Sequence, residues 1–355
     1  MKIFFDVLNI YYFPQYLPIF EELNKRGHVC RFIVYSKKND QAKMTKMLEG
    51  LEIDYSWVYD YNEAKDLYLN EKPDWIFFGN EFPHLDEIHR ASKTVQMGHG
   101  IGPKPSYYLK SKTPMTVRFM EGDLRLKNII KMFPNDQFEQ VGFSKLDPIY
   151  NKTEKGVDLV KLGLDPNKQT LLYAPTFNPT SLGCFPKDWP NDFKNYNILI
   201  KVHALTLSRD RYKKEQKLIK QWASYPNVYV AEIDEFSLVP FLVSADILIS
   251  EASSTLFEFA ALNKPVVICD FYDLKWSYKG LFKYRFEERF GKDSVIYNDL
   301  GAHAKSYNKL KQKVEEELSH PTNFERNRKA YTRDHVGPTD GKASIRIANY
   351  LEDTK

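Results

Sequence analysis

A chain of 355 residues is too long for one typical hydrophobic core, so two domains of about 150–180 residues are expected. Hydrophobic content of 43% and charged content of 28% are ordinary for a globular protein, and a net charge of +4 permits an anionic ligand or lipid surface without indicating nucleic-acid binding. No run approaches 18 apolar residues, which excludes a membrane-spanning helix, and the opening MKIFFDVLN carries no signal-peptide pattern.

Along the first half, strands and helices alternate. Strands are expected at Lys2–Leu8, His28–Tyr35, Trp57–Tyr59, Asp74–Phe78 and Lys93–Met97, and helices at Gln15–Lys25, Asn39–Leu48 and Asn62–Leu69. Met115–Met120 and Gln137–Val141 read as the last strands of this half, followed by the turn VGFSKLDP. Such alternation implies right-handed βαβ units and a parallel sheet. The first turn, Asn9–Pro14, has no glycine, so a dinucleotide fingerprint is absent. Residues 148–168 are polar and turn-rich and read as a linker between an N-terminal domain at 1–147 and a second domain at 169–335.

The second half repeats the pattern. Strands are expected at Thr170–Ala174, Tyr196–Val202, Val228–Ala231, Ala245–Ser250, Val266–Cys269 and Ser294–Tyr297. Helices are expected at Arg211–Ser224, Glu235–Val243, Ala304–Leu318, Asn323–Arg333 and Lys342–Glu352, the last within a C-terminal segment, 336–355, read as packing back toward the N-terminal domain. The fold class is therefore α/β, with two facing Rossmann-like domains, a cleft between them and a helical C-terminus. Aromatic residues reach 15%, which suits either an AT-rich coding genome or a carbohydrate-facing surface. Cys30, Cys184 and Cys269 lack CxxC spacing and read as free thiols of a reducing, cytoplasmic compartment.

Ligands of parallel sheets bind beyond the carboxyl ends of the strands, so the polar residues just after each strand are the candidates. Four segments are chemically loaded. In Gln96–Lys104, His99 lies between Gly98 and Gly100 and has the ordinary pKa of a general base, with Lys104 following; the alternative is a histidine that only bonds a turn. In YAPTF, Thr176 either bonds a phosphate or caps a turn. In IKVHAL, Lys201 and His203 share one side of an extended strand. In ILISEASSTLFEF, Glu251, Ser253, Ser254 and Thr255 stand where a strand gives way to a helix, and Thr255-x-x-Glu258 has capping-box spacing. Glu251 and Glu258 have six residues between them, one short of the Glu-x7-Glu of retaining nucleotide-sugar transferases.

Taken in order, GHGIGPK, VGFSKLDP, LLYAPTF, IKVHAL, ADILISEASSTLFEFAALNKPVV and DGKASIRI resemble the CDP-glycerol glycerophosphotransferase family, the GT-B-fold enzymes of teichoic-acid and capsular-polymer synthesis. The motifs run from about residue 96 to 348. The family usually carries Trp-His-Gly, His-Pro and Asp-Tyr-Ser-Ser where this chain has Gly98-His99-Gly100, His203-Ala204 and Glu251-Ala252-Ser253-Ser254. Both histidines and the serine pair are kept, and the changed neighbours mark a divergent branch.

The resemblance implies transfer of a polyol phosphate, glycerol phosphate first among them, from a CDP-alcohol to a hydroxyl of a polymer or lipid-linked glycan, with release of CMP. It gives His99 the base role and His203 a catalytic or donor role, with Thr176, Lys201, Glu251, Ser253, Ser254 and Thr255 on the donor. Gly100, Lys104, Lys145 and Asp147 would serve the acceptor or the interdomain turn, the alternative for the last two being an ion-paired hinge. A nucleotide-sugar glycosyltransferase or epimerase on the same architecture is the competing reading. No D-x-D or metal-spaced cluster is present, so no tightly bound metal is expected, with a loosely held Mg²⁺ on the pyrophosphate left open. Two basic-aromatic stretches, Lys275–Lys292 and Pro103–Phe133, suit contact with an anionic polymer or the inner face of the cell membrane.

Overall fold

The computed structural model describes residues 1–36, 41, 44, 45, 48–98, 100–102, 115–177, 179–251, 253–274, 284, 285 and 299–354. The chain forms two compact units. One comprises Met1–Ile101, Ser106–Asn151 and Gly337–Lys355, and the other Gly102–Pro105 and Lys152–Val336. Each is built on a parallel β-sheet.

The first unit contains β1 (Lys2–Val7), α1 (Phe13–Lys25), β2 (Val29–Tyr35), β3 (Tyr55–Val58), α2 (Tyr61–Glu71), β4 (Trp75–Phe78), β5 (Lys93–Met97), β6 (Val117–Met120), α3 (Asp123–Met132) and β7 (Phe138–Gln140). Its sheet runs β3-β2-β1-β4-β5-β6-β7, with every pairing parallel. Strands covered on both faces must be apolar throughout, and Trp75–Phe78 is buried at all four positions. Phe5 stacks between Phe32 and Phe77, with centroids 4.9 Å away on each side. Much of the high aromatic content is thus core.

The C-terminal helix Ala343–Asp353 completes this unit by packing on α1. Glu352 accepts from Arg26 and pairs with His28, both at 2.8 Å. The expected Asn39–Leu48 helix falls largely outside the described residues. Helix α3 was not anticipated.

The second unit contains β8 (Thr170–Tyr173), β9 (Asn197–Ile200), α4 (Ala204–Ser208), α5 (Lys213–Trp222), β10 (Val228–Val230), α6 (Val239–Ser244), β11 (Ile247–Ser250), α7 (Thr255–Ala261), β12 (Val266–Cys269), β13 (Ala302–Ala304), α8 (Tyr307–Ser319) and α9 (Glu325–His335). The sheet order is β10-β9-β8-β11-β12-β13, again all parallel. Tyr173, Phe185, Trp189 and Trp222 form an aromatic cluster beneath it.

Three expectations are corrected here. The strand after β12 is Ala302–Ala304, whereas Ser294–Tyr297 lies outside the described residues. Helix α6 starts at Val239 rather than Glu235, because Pro240 fits only a first helical turn. Strand β9 stops at Ile200, so Lys201 and His203 follow it rather than sharing its side. Among the described residues, no helix is long and apolar enough to cross a membrane.

Candidate functional site

In both sheets the order reverses beside the first strand, between β1 and β4 and between β8 and β11. Such a switch point leaves a crevice at the carboxyl ends because the flanking connections depart to opposite faces. In the second unit, the segments that leave β9, β8 and β11 carry Lys201 and His203, Thr176, and Glu251 through Thr255. Three adjacent strand ends therefore bring together the residues expected on a phosphate-bearing donor.

His203 is the N-cap of α4. Its Nδ1 accepts the Leu205 N–H at 3.1 Å. A nitrogen that accepts carries no proton, so the neutral ring holds its hydrogen on Nε2 and presents a donor there. The Phe177 ring lies 4.7 Å from the imidazole and ties the post-β8 segment to the post-β9 segment. Thr176 turns its hydroxyl onto the Pro179 carbonyl and closes that loop. The Lys201 ammonium sits 5.8 Å from the Phe241 ring centroid.

The β11–α7 turn is knitted from within. Ser250 donates to the Ala174 carbonyl at 2.6 Å, joining two strand ends across the switch point. Ser253 Oγ accepts the Thr255 N–H at 3.3 Å and lies 3.2 Å from the Thr255 hydroxyl. Helix α7 begins at Thr255 with Ser254 as N-cap, so the expected capping box on Thr255 and Glu258 does not form: Thr255 is already helical. Ser254 is partly exposed, while Ser253 and Thr255 are buried.

Glu251 is fully buried, and its Oε1 accepts from Ser181 twice, from N–H at 2.6 Å and from the hydroxyl at 3.2 Å. Oε2 has no partner among the described residues. Burial pushes the carboxyl up to about 7 against the pull of the Ser181 bonds. This glutamate braces the post-β8 loop from below. Asp273 pairs backbone to backbone with Thr180 and holds the same loop from β12.

In the first unit, β5 runs into Gly98 and Gly100, while His99 and Lys104 lie outside the described residues. The two glycines rest on one buried guanidinium. Arg125 Nη1 donates to the Gly100 carbonyl at 3.1 Å and to Glu121 Oε2 at 2.8 Å. A Cβ built on Gly98 would stand 2.6 Å from Arg125 Nη2, so glycine is required for this approach. Burial raises the Glu121 carboxyl, and the Arg125 charge pulls it back.

Lys145 sits partly exposed in the 3-10 turn Ser144–Leu146. Asp147 is buried and accepts from Ala343 N–H at 3.2 Å, Ser344 N–H at 2.8 Å and the Ser344 hydroxyl at 2.6 Å. It caps the C-terminal helix across almost two hundred residues of chain. Sequence reasoning missed Arg125, Glu121 and Ser181 because their contacts are tertiary. The glycines at 98 and 100 were the available sign that something approaches the backbone closely.

Among the described residues, no group of three or more His, Cys, Asp or Glu side chains is arranged to hold a metal ion. All but Tyr284 and Arg285 of the stretch 275–292 lies outside the described residues.

A family model described as CDP-glycerol:poly(glycerophosphate) glycerophosphotransferase matches residues 17–353. Teichoic acid glycerol-phosphate primases of Bacillus subtilis and Bacillus spizizenii are 25% and 27% identical over 239 and 251 residues, covering 59% and 66% of this chain. The matches span 59% and 58% of those relatives' own length. Among solved structures, the wall teichoic acid polymerase TagF aligns with a TM-score of 0.69 at 16% identity, over 99% of this chain and 88% of that one. A Staphylococcus aureus MnaA structure with UDP aligns at 0.66 and 12%, over 100% and 97%. At such identities the likeness is one of fold, the two-domain GT-B type.

Proposed function

Because the chain belongs to the CDP-glycerol:poly(glycerophosphate) glycerophosphotransferase family, we propose that it transfers glycerol phosphate from CDP-glycerol to a hydroxyl of a cell-wall polymer and releases CMP. The observation that carries the reading is the convergence of His203, Thr176 and the Ser253–Thr255 turn on adjacent strand ends at the switch point of the second unit. A diphosphate there needs hydrogen-bond donors more than it needs a base. His203, held with its proton on Nε2, supplies one, and the Ser254 hydroxyl and the Lys201 ammonium add to it. Glu251 does its part indirectly, by fixing the loop that carries Thr176.

His99 is the general base of this scheme. It takes the proton of the acceptor hydroxyl as the oxygen bonds to the glycerol-bearing phosphorus. The bond from that phosphorus to the bridging oxygen breaks, and CMP leaves with the electron pair. Positioning and charge stabilisation dominate such transfers, and the base contributes ~10²–10⁴-fold. His99→Ala is expected to lower transfer by that factor with little change in CDP-glycerol affinity. An equal loss of donor affinity would move His99 from the base role to donor binding.

The acceptor polymer is proposed to be met at an anionic membrane surface on the cytoplasmic side. Helix α3 exposes Leu124, Ile130 and Met132 beside Lys127 and Lys131, a basic and apolar face suited to lipid headgroups. Co-sedimentation with phosphatidylglycerol vesicles should be strong at low salt and weak at high salt; no binding at low salt removes the membrane role.

Nucleotide release from CDP-glycerol, CDP-ribitol and UDP-sugars, each with and without acceptor, tests the donor. CDP-glycerol is expected to be turned over. Turnover of a UDP-sugar alone would mean a nucleotide-sugar enzyme instead.

A further inference from the structure

We propose that Arg125, held by Glu121, is the positioning residue for His99. The inference rests on the base role proposed above for that histidine. Both of its chain neighbours are fixed by the same side chain. The Gly100 carbonyl accepts from Nη1 at 3.1 Å, and the guanidinium edge fills the space where a Gly98 side chain would stand, 2.6 Å from a Cβ built there. Cα atoms of successive residues are 3.8 Å apart, so fixing the backbone on either side leaves that of His99 little freedom.

Arginine suits this task because its donors are set in a rigid plane. One nitrogen serves Glu121 and Gly100 together, while the other edge lies flat against Gly98. Lysine could keep the ion pair, but a single ammonium cannot also form that flat edge. The pair is almost wholly sequestered, with Arg125 2% and Glu121 3% exposed, which makes the contact stiff and costly to break.

Glu121 is anchored in turn. Gly337, where the chain re-enters this unit, has φ +84° and lies so close that a Cβ on it would overlap the Glu121 carbonyl oxygen. The Gln140 amide also reaches that carbonyl, at 3.4 Å. Helix α3, the returning chain and the β5 turn thus meet on one buried ion pair. Nothing about this pair requires it to touch substrate; it acts through the backbone of the residue it flanks.

Displacing a catalytic group by about 1 Å costs on the order of 10²-fold in rate. Arg125→Lys is therefore expected to lower kcat on CDP-glycerol roughly 10²-fold with KM for CDP-glycerol within about twofold of the parent. The same loss is expected of Gly98→Ala, which leaves the ion pair in place and displaces only its edge. A residue that merely supports the fold would also lower the activity that remains without His99, so the decisive comparison is the double variant. Arg125→Lys in the His99→Ala background should cause no further loss in the slow residual transfer.

Parental kcat in both single variants would overturn the proposal. So would losses that multiply with His99→Ala, or thermal melting that shows neither variant folds. Parental activity in His99→Ala would instead reject the base role itself, a result distinct from these.

Discussion

At the scale of single residues, the chain stores protons where it buries carboxylates. Asp6 accepts from the Tyr35 and Tyr68 hydroxyls at 2.7 Å each, and burial nonetheless pushes it up to about 7. Glu251 is pushed to the same range, also by burial. Each binds a proton in the folded state between about pH 4 and pH 7 that the unfolded chain releases, so stability falls as pH rises through that window and levels above it. The contribution is on the order of 3 kcal/mol for each group. Denaturant unfolding at pH 5 and pH 8 should show the parent more stable at pH 5, and Asp6→Asn and Glu251→Gln should each flatten the difference. Equal slopes in parent and variants would mean these carboxyls titrate normally. Glu71, Asp340 and Glu352 are shifted the other way, chiefly by their Lys2, Arg346 and His28 partners, so their loss belongs below the ordinary carboxylate range and does not mask this window.

His203 separates two roles within one side chain. As a cap it satisfies the Leu205 N–H, and as a donor it offers Nε2–H. Asparagine caps as well as any residue but cannot reach as far. His203→Asn should keep the melting temperature and lose on the order of 10²-fold in kcat/KM, the effect of removing one preorganised donor from developing charge. Parental kcat/KM in that variant would reduce His203 to a helix cap.

At the scale of elements, the sequence was most readable where burial dictates composition. β4, β5 and β12 are continuous apolar runs, as strands covered on both faces must be, and they lie within a residue of their expected bounds. Strand β13 was not readable, since Ala-His-Ala carries no strand signal and is fixed only by pairing with β12. Helix α3 was hidden because its lysines and exposed apolar residues blur the 3.6-residue period. The candidate site divides in the same way. Strand-end polar groups could be picked from the sequence, but the partners that lock them, Ser181 under Glu251 and Arg125 under Gly98, stand 25 or more residues away and are joined only by folding.

Asp147 illustrates a tertiary cap. It satisfies two backbone N–H groups and a hydroxyl at the start of the C-terminal helix. Asp147→Ala removes a buried acceptor from three donors and should destabilise the protein by about 2–3 kcal/mol, read as a lower urea midpoint at unchanged m-value. A loss under about 0.5 kcal/mol would show that the helix start is satisfied by other groups.

At the scale of the whole molecule, the chain crosses from the first unit to the second after Asn151 and returns after Val336. The first unit is therefore closed only when the last residues have been added, through Gly337 on Glu121, Asp147 on the C-terminal helix, and Glu352 on Arg26 and His28. The second unit is continuous apart from the short Gly102–Pro105 insert and holds the donor-type site at its switch point. Dividing the chemistry in this way suits a reaction in which one partner is a small anionic nucleotide and the other a polymer hydroxyl.

The central claim is that the phosphate travels with glycerol. CDP-glycerol labelled with ³²P in the glycerol-bearing phosphate, incubated with the protein and a teichoic-acid-type acceptor, tests it directly. The account predicts label in the acceptor as a phosphodiester and one unlabelled CMP released for each glycerol phosphate transferred. Label remaining with the nucleotide, or glycerol appearing on the acceptor without phosphate, would contradict it.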